Sequence, residues 1–134
     1  MHLLINLDVP DLPAAEALYA RAFGLRASRR FGPDGVELLG AQAPIYLLRK
    51  EAGTVAAADA PRDYSRHWMP AHLDVVVDDL DAALARAEAA GFAREGDIRQ
   101  ASWGRIVQLA DPFGHGWCLL QFLGRGYDEI ATPA

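Results

Sequence analysis

One short pattern, a strand followed by a capped helix, occurs twice along the 134-residue chain. The motif Val-x-Asp-Leu at residues 9–12 recurs at residues 77–80, an offset of 68 (77 minus 9). In each copy the Asp side chain can accept from free helical N–H groups, an apolar stripe of helical period follows, and a glycine ends it. This repeat restricts the chain to folds built from two copies of one supersecondary unit.

Strand signals surround each helix in the same order. Alternating residues predict a strand before each helix, at residues 3–9 and 71–77. Three further strand candidates follow each helix, at residues 25–31, 36–39 and 45–49 in the first copy and 92–98, 103–109 and 117–122 in the second. Each half is therefore predicted to be a βαβββ module.

The two halves define the predicted domain organisation. The first module covers residues 1–50 and the second covers 71–123. Residues 51–70, rich in Ala, Gly, Pro, Asp and Arg, are predicted to be a connector or lid, and 124–134 a C-terminal tail. The predicted fold class is α+β, with two tandem βαβββ modules forming a curved mixed sheet around a cavity within one structural domain.

The predicted cavity depends on polar residues in the first strand of each module. If the apolar face lies under the helix, His2, Asn6 and Asp8 point away from the core in the first module. His72 and Asp74 do the same in the second. A sheet with one solvated face would give the same pattern, so the pattern alone leaves both interpretations open.

Composition excludes several classes of protein. With 51% hydrophobic and 23% charged residues, the chain can bury a core. The net charge of -5 gives no general attraction to phosphate or anionic lipid, so neither nucleic acid nor membrane is an expected partner. A single cysteine excludes an internal disulfide, and the N-terminal residues lack the features of a targeting segment. We expect a cytoplasmic protein.

Two stretches carry a family resemblance. Residues 72–83 read His-Leu-Asp-Val-Val-Val-Asp-Asp-Leu-Asp-Ala-Ala, and the later turn Asp111-Pro112-Phe113-Gly114 leads into an apolar strand. With the paired βαβββ halves, these stretches resemble the vicinal oxygen chelate superfamily, which groups glyoxalase I, bleomycin-resistance proteins and extradiol dioxygenases. The resemblance runs from about residue 3 to residue 122 and implies the fold described above.

The resemblance also implies where a metal would lie. Metal-dependent members take one ligand from the first strand and one from the last strand of each half, usually His and Glu. The matching positions here are Leu4, Tyr46, His72 and Cys118, and only His72 keeps an expected residue. A divalent site open to substrate normally needs three protein donors, so we expect no metal. If one were bound, His2, two residues before Leu4 on the same strand face, would join His72.

Seven residues are predicted to contact a ligand. They are His72, Tyr46, Asn6, Cys118, Trp68, Trp103 and Arg105. The first four come from strand faces opposite the helices or from family-matched positions, and the tryptophans are candidate aromatic walls. Each also has a structural interpretation: Cys118 and Tyr46 could only pack, Trp68 could pin the connector, and Trp103 and Arg105 could serve the sheet.

These observations favour a glyoxalase/bleomycin-resistance-like protein that binds a small molecule in the sheet cavity without the catalytic metal. The alternative is a lyase or dioxygenase of the glyoxalase type with a divalent ion such as Zn, Ni, Fe or Mn, held by His2, His72 and either Asp74 or Cys118. A third is an interaction module whose sheets only dimerise. Whether the chain is an enzyme stays open. We expect a homodimer, since the family commonly pairs modules.

Overall fold

Each half of the chain builds its own sheet and covers one face of it with one helix. The computed structural model describes residues 1–134 and divides into two units, Met1–Ser65 and Arg66–Ala134. The elements of the first unit are β1 Ile5–Val9, α1 Leu12–Phe23, β2 Arg26–Arg30, β3 Gly35–Leu39, β4 Ile45–Arg49, β5 Val55–Ala57 and β6 Ala60–Pro61. Those of the second are β7 Leu73–Val76, α2 Leu80–Ala90, β8 Ala93–Arg94, β9 Arg99–Ala101, β10 Gly104–Ala110, β11 Gly116–Phe122 and a 3-10 turn, Gly126–Glu129.

The first unit has the strand order β1-β4-β3-β2. Strand β1 runs parallel to β4, while β3 is antiparallel to both β4 and β2. Helix α1 begins where Asp11 Oδ1 accepts from the Ala14 N–H at 2.9 Å, and it ends at Gly24, whose φ of +70° suits glycine. Its apolar stripe packs on a core that includes the fully buried Val36 and Leu47.

The second unit repeats this topology. Its order is β7-β11-β10-β8, with β9 also paired to β10, and β7 runs parallel to β11. Helix α2 is capped in the same way, since Asp79 Oδ1 accepts from Ala82 N–H at 3.0 Å. The predicted α+β class with two βαβββ modules is therefore confirmed.

Two local predictions differ from the structure. The strand predicted at residues 92–98 contains only β8, because Arg94 donates to the Gly96 carbonyl at 2.6 Å and Gly96, at φ +126°, turns the chain away before β9. The predicted connector at residues 51–70 contains the β5–β6 hairpin, and Arg62 bonds to Asp8 of β1 at 2.6 Å. Neither helix is long and apolar enough to cross a membrane.

Candidate functional site

The register of the second sheet brings three polar side chains to one face. In the parallel β7–β11 pair, Asp74 lies directly beside Cys118, and His72 is two residues before Asp74, so alternation places it on the same face. The opposite face carries α2, because Gln121, three residues after Cys118, accepts from the Leu80 N–H at the start of that helix at 3.3 Å. His72, Asp74 and Cys118 therefore occupy the face not covered by the helix.

These three side chains form a compact polar group. His72 Nε2 lies 3.3 Å from Asp74 Oδ1, and the side chains of both residues are about one-third exposed. Their ligand atoms and the Cys118 Sγ all lie within 4.8 Å of one another. Burial first, and then the neighbouring Asp74 carboxylate, raise the pKa of the Cys118 thiol to about 11. The thiol is thus protonated at neutral pH and is not a ready nucleophile.

An aromatic side chain adjoins this group. Trp68 is 55% exposed, and its ring centroid lies 5.6 Å from that of His72 at an interplanar angle of 41°. Trp68, predicted as an aromatic wall, therefore contacts the ring of His72, another residue predicted to contact the ligand. We define His72, Asp74, Cys118 and Trp68 as the second-unit site.

The first unit carries a different arrangement at the equivalent strands. Tyr46 lies beside Asn6 in β1 and beside Glu37 in β3. Its hydroxyl donates to Glu37 Oε1 at 2.7 Å, and Arg29 donates to both carboxylate oxygens of Glu37, at 2.9 and 2.6 Å. The hydrogen bond to Glu37 raises the pKa of Tyr46. Tyr46 is therefore a protonated phenol, and its hydroxyl is engaged in a hydrogen bond to Glu37, a residue that is only 4% exposed.

Three other predicted residues lie away from the second-unit site or in the other unit. Trp103 packs against Tyr127, with ring centroids 5.3 Å apart. Arg105 bonds to Asp81 in the first turn of α2 at 2.8 Å, which places it on the helix-covered face. His2 belongs to the first unit and lies in the exposed residues before β1. Within the second unit, the structure does not bring Trp103 or Arg105 together with His72.

Comparison with known families matches residues 4–120 to the glyoxalase-like domain. The chain belongs to this family. A relative in Mycobacterium bovis, an uncharacterized protein, is 31% identical over 122 residues, covering 87% of this chain and 80% of that protein. The resemblance to the vicinal oxygen chelate superfamily is thereby confirmed.

Solved structures share the fold at lower identity. TioX from Micromonospora sp. ML1 has a TM-score of 0.70 at 23% identity, covering 92% of this chain and 99% of that one. The fosfomycin resistance protein FosX from Mesorhizobium loti has a TM-score of 0.72 at 16% identity, covering 98% of both chains. Lactoylglutathione lyase from Agrobacterium tumefaciens has a TM-score of 0.61 at 23% identity, covering 90% of this chain and 92% of that one.

The four-ligand metal centre of this superfamily does not fit the glyoxalase-like chain. Leu4 has no donor atom, and Tyr46 is a protonated phenol whose oxygen also lies 3.2 Å from the Arg29 guanidinium, a fixed cation. Of the four matched positions, only His72 and Cys118 carry usual metal ligands, and the third donor beside them is Asp74, outside those positions. The sequence signal for Asp74 is its i, i+2 spacing from His72, but its contact with Cys118 depends on strand register.

Acid is expected to weaken the first unit through Glu37. Hydrogen bonds from Arg29 and Tyr46 lower the pKa of this carboxyl from an ordinary 4.5 to about 2. A carboxyl whose pKa is lower in the folded state contributes stability that is present above its unfolded pKa and is lost as pH falls through its folded value. Between about pH 4.5 and 2 the wild-type free energy of unfolding should fall more steeply than that of Glu37→Gln. Parallel slopes in urea titrations over this range would contradict the assignment.

Proposed function

We propose that this glyoxalase-like chain binds a small organic molecule at the second-unit site, without the metal centre of its superfamily. The observation that carries the proposal is the exposed Trp68 ring against the His72–Asp74 pair. Small-molecule sites combine aromatic or apolar walls with a few polar groups that fix orientation. The indole supplies such a wall, and the imidazole and carboxylate supply the polar groups.

Asp74 gives the imidazole a defined role in this site. A carboxylate can only accept hydrogen bonds, so of the two neutral tautomers of His72, contact with Asp74 at 3.3 Å selects the one that carries its proton on Nε2. That tautomer leaves Nδ1 as an acceptor for an N–H or O–H of the bound molecule. Since the Cys118 thiol is buried and protonated, it packs beneath the pair and is assigned no covalent step.

The relatives support a small-molecule role at the level of the fold. Among the solved structures of similar fold are a fosfomycin resistance protein and a lactoylglutathione lyase. Both names refer to small organic molecules. Their sequence identities to this chain are 16% and 23%. They therefore support a small organic molecule as the class of ligand but do not indicate which molecule it is.

Tryptophan fluorescence tests the proposal. We expect planar heteroaromatic compounds, screened against protein kept in a chelator, to include a binder that quenches the emission. His72→Ala should weaken its binding by about 1–3 kcal/mol, the usual cost of removing the partner of a buried polar group. Trp68→Phe should remove most of the quenching, and Trp103→Phe is the matched control, because Trp103 packs on Tyr127. Equal affinity in folded His72→Ala and wild-type protein would contradict the proposed site.

A second candidate is a divalent-metal-dependent lyase or dioxygenase of the glyoxalase type. It is favoured by one observation, the three donor atoms of His72, Asp74 and Cys118 within 4.8 Å of one another. Nitrogen, oxygen and sulfur donors in that number meet the minimum for a metal site open to substrate. Metal content distinguishes the two candidates. The binding protein should bind its ligand in the presence of a chelator, whereas the lyase or dioxygenase should require a bound metal ion.

A further inference from the structure

Arg66 is held by two other segments of the second unit and by the carbonyl of the next residue. Its Nε and Nη2 donate to the two carboxylate oxygens of Glu95, each at 2.7 Å. Its Nη1 donates to the His67 carbonyl at 2.7 Å and to the Gly114 carbonyl at 3.3 Å. A bidentate guanidinium–carboxylate pair fixes both distance and orientation. The pair with Glu95, a residue outside its own segment, therefore fixes the guanidinium plane.

The same guanidinium lies against the aromatic wall of the proposed site. Its central carbon is 5.8 Å from the Trp68 ring centroid, within the range of a cation–π contact. The Trp68 ring in turn contacts His72. Residues 66–72 contain no helix or strand, so no backbone ladder holds this largely exposed indole in place. Arg66 and His72 supply the ring contacts that orient it.

A glycine makes room for Arg66. A Cβ built on Gly116 would lie 3.2 Å from Arg66 Nη2 and 3.3 Å from Nη1. The φ of Gly116 is not in the left-handed region. A side chain at this position is therefore disfavoured by the nearby guanidinium and not by backbone conformation. The start of β11 thus leaves space for the guanidinium, and the turn before it accepts a hydrogen bond through the Gly114 carbonyl.

The positive charge of Arg66 is neutralised by its ion pair with Glu95. The pKa of Glu95 is lowered chiefly by its hydrogen bonds from Arg66, and the pKa of Arg66 is raised chiefly by the same bonds. Ion pairing at 2.7 Å on both oxygens leaves little net positive charge for an anionic ligand. This argues against Arg66 as an anion receptor and favours an indirect role.

We propose that Arg66 is a positioning residue that holds the Trp68 indole against His72 and so builds the aromatic wall of the second-unit site. This inference rests on the proposed function only in assigning the Trp68 ring a role in ligand binding. The position of the indole can be measured without any bound molecule, so failure of ligand binding and failure of this inference are distinguishable.

The ring current of Trp68 on His72 provides the test. In proton–carbon NMR spectra of the full chain, we expect the His72 ring protons to carry a shift from the indole, which Trp68→Ala removes. Arg66→Gln should move the His72 resonances toward their Trp68→Ala positions and increase quenching of Trp68 emission by acrylamide, in a Trp103→Phe background. Arg66→Lys should resemble Arg66→Gln, because a lysine cannot form the bidentate pair.

Arg105→Gln is the matched control. Arg105 has the same side-chain exposure, 24%, as Arg66 and also pairs with a carboxylate in the second unit, but it lies on the helix-covered face. This variant should leave the His72 resonances unchanged. If Arg66→Gln does not fold, Glu95→Gln and Gly116→Ala disturb the same guanidinium more mildly and should give the same shift. Unchanged His72 resonances in the folded Arg66→Gln or Glu95→Gln variant would overturn the proposal.

Discussion

Replacing Asp111 with alanine is expected to destabilise the second unit by about 3–5 kcal/mol, the cost of removing one partner from a buried charged network. The Asp111 side chain is fully buried. Its Oδ1 accepts from the Phe113 and His115 backbone N–H groups at 2.9 and 3.0 Å. Its Oδ2 accepts from Trp117 Nε1 at 2.9 Å and lies 2.9 Å from His115 Nδ1. Without the carboxylate, the Phe113 N–H and the Trp117 indole N–H lose their acceptor where both bonds are buried.

Urea unfolding monitored by tryptophan fluorescence measures this loss. Asp97→Ala is the matched control, because the Asp97 side chain is fully exposed and its pair with Arg94 joins neighbouring residues on the surface. Such a pair contributes about 0–1 kcal/mol. A loss in Asp111→Ala no larger than that in Asp97→Ala would show that the carboxylate does not organise the turn. That turn supplies the Gly114 carbonyl to Arg66, so the variant should also disturb Trp68.

Gly104→Ala is expected to cost about 3 kcal/mol or more, at the upper end of the range for overpacking. Gly104 pairs with Phe122 in the antiparallel β10–β11 ladder. A Cβ at this position would lie 2.5 Å from the backbone oxygen of Gln121 and 3.4 Å from the Phe122 Cα. Backbone atoms of a paired strand cannot rotate away as a side chain can, so the two strands must separate locally.

Gly35→Ala in the first unit is the matched control for this prediction. Gly35 is also in a strand, but a Cβ there meets the Phe31 side chain first, at 3.2 Å. Thermal unfolding of the two variants should show a much larger decrease in melting temperature for Gly104→Ala. Equal decreases would mean that β10 and β11 are less closely paired at this end than their register indicates.

The parts of the fold that the sequence predicted are those encoded locally. Asp11 and Asp79 cap helices through side chains that reach residues three positions away, and the glycines that end those helices are adjacent in sequence. The break between β8 and β9 was missed because it depends on a single turn around Gly96 inside an otherwise strand-like stretch. The β5–β6 hairpin was missed because its turn contains Ala58, at a positive φ, where sequence rules expect glycine or asparagine.

The candidate site was only partly predictable for a related reason. His72 and Cys118 followed from the family resemblance, and the i, i+2 spacing pointed to Asp74. The Arg66–Glu95 pair joins residues 29 positions apart, and the bonds of Tyr46 to Glu37 depend on β3–β4 register. Contacts of this kind are set by the assembled sheet and leave no local pattern in the sequence.

Metal content tests the central claim most directly. The chain should be produced in medium supplemented with zinc, nickel, iron and manganese, purified without chelator, and measured by elemental analysis beside His72→Ala and His2→Ala. We expect no stoichiometric metal in any of the three, because Leu4 has no donor atom and the Tyr46 phenol is protonated and donates to Glu37. One ion per chain in the wild type and in His2→Ala, but none in His72→Ala, would contradict this account and establish the second-unit site as a metal centre.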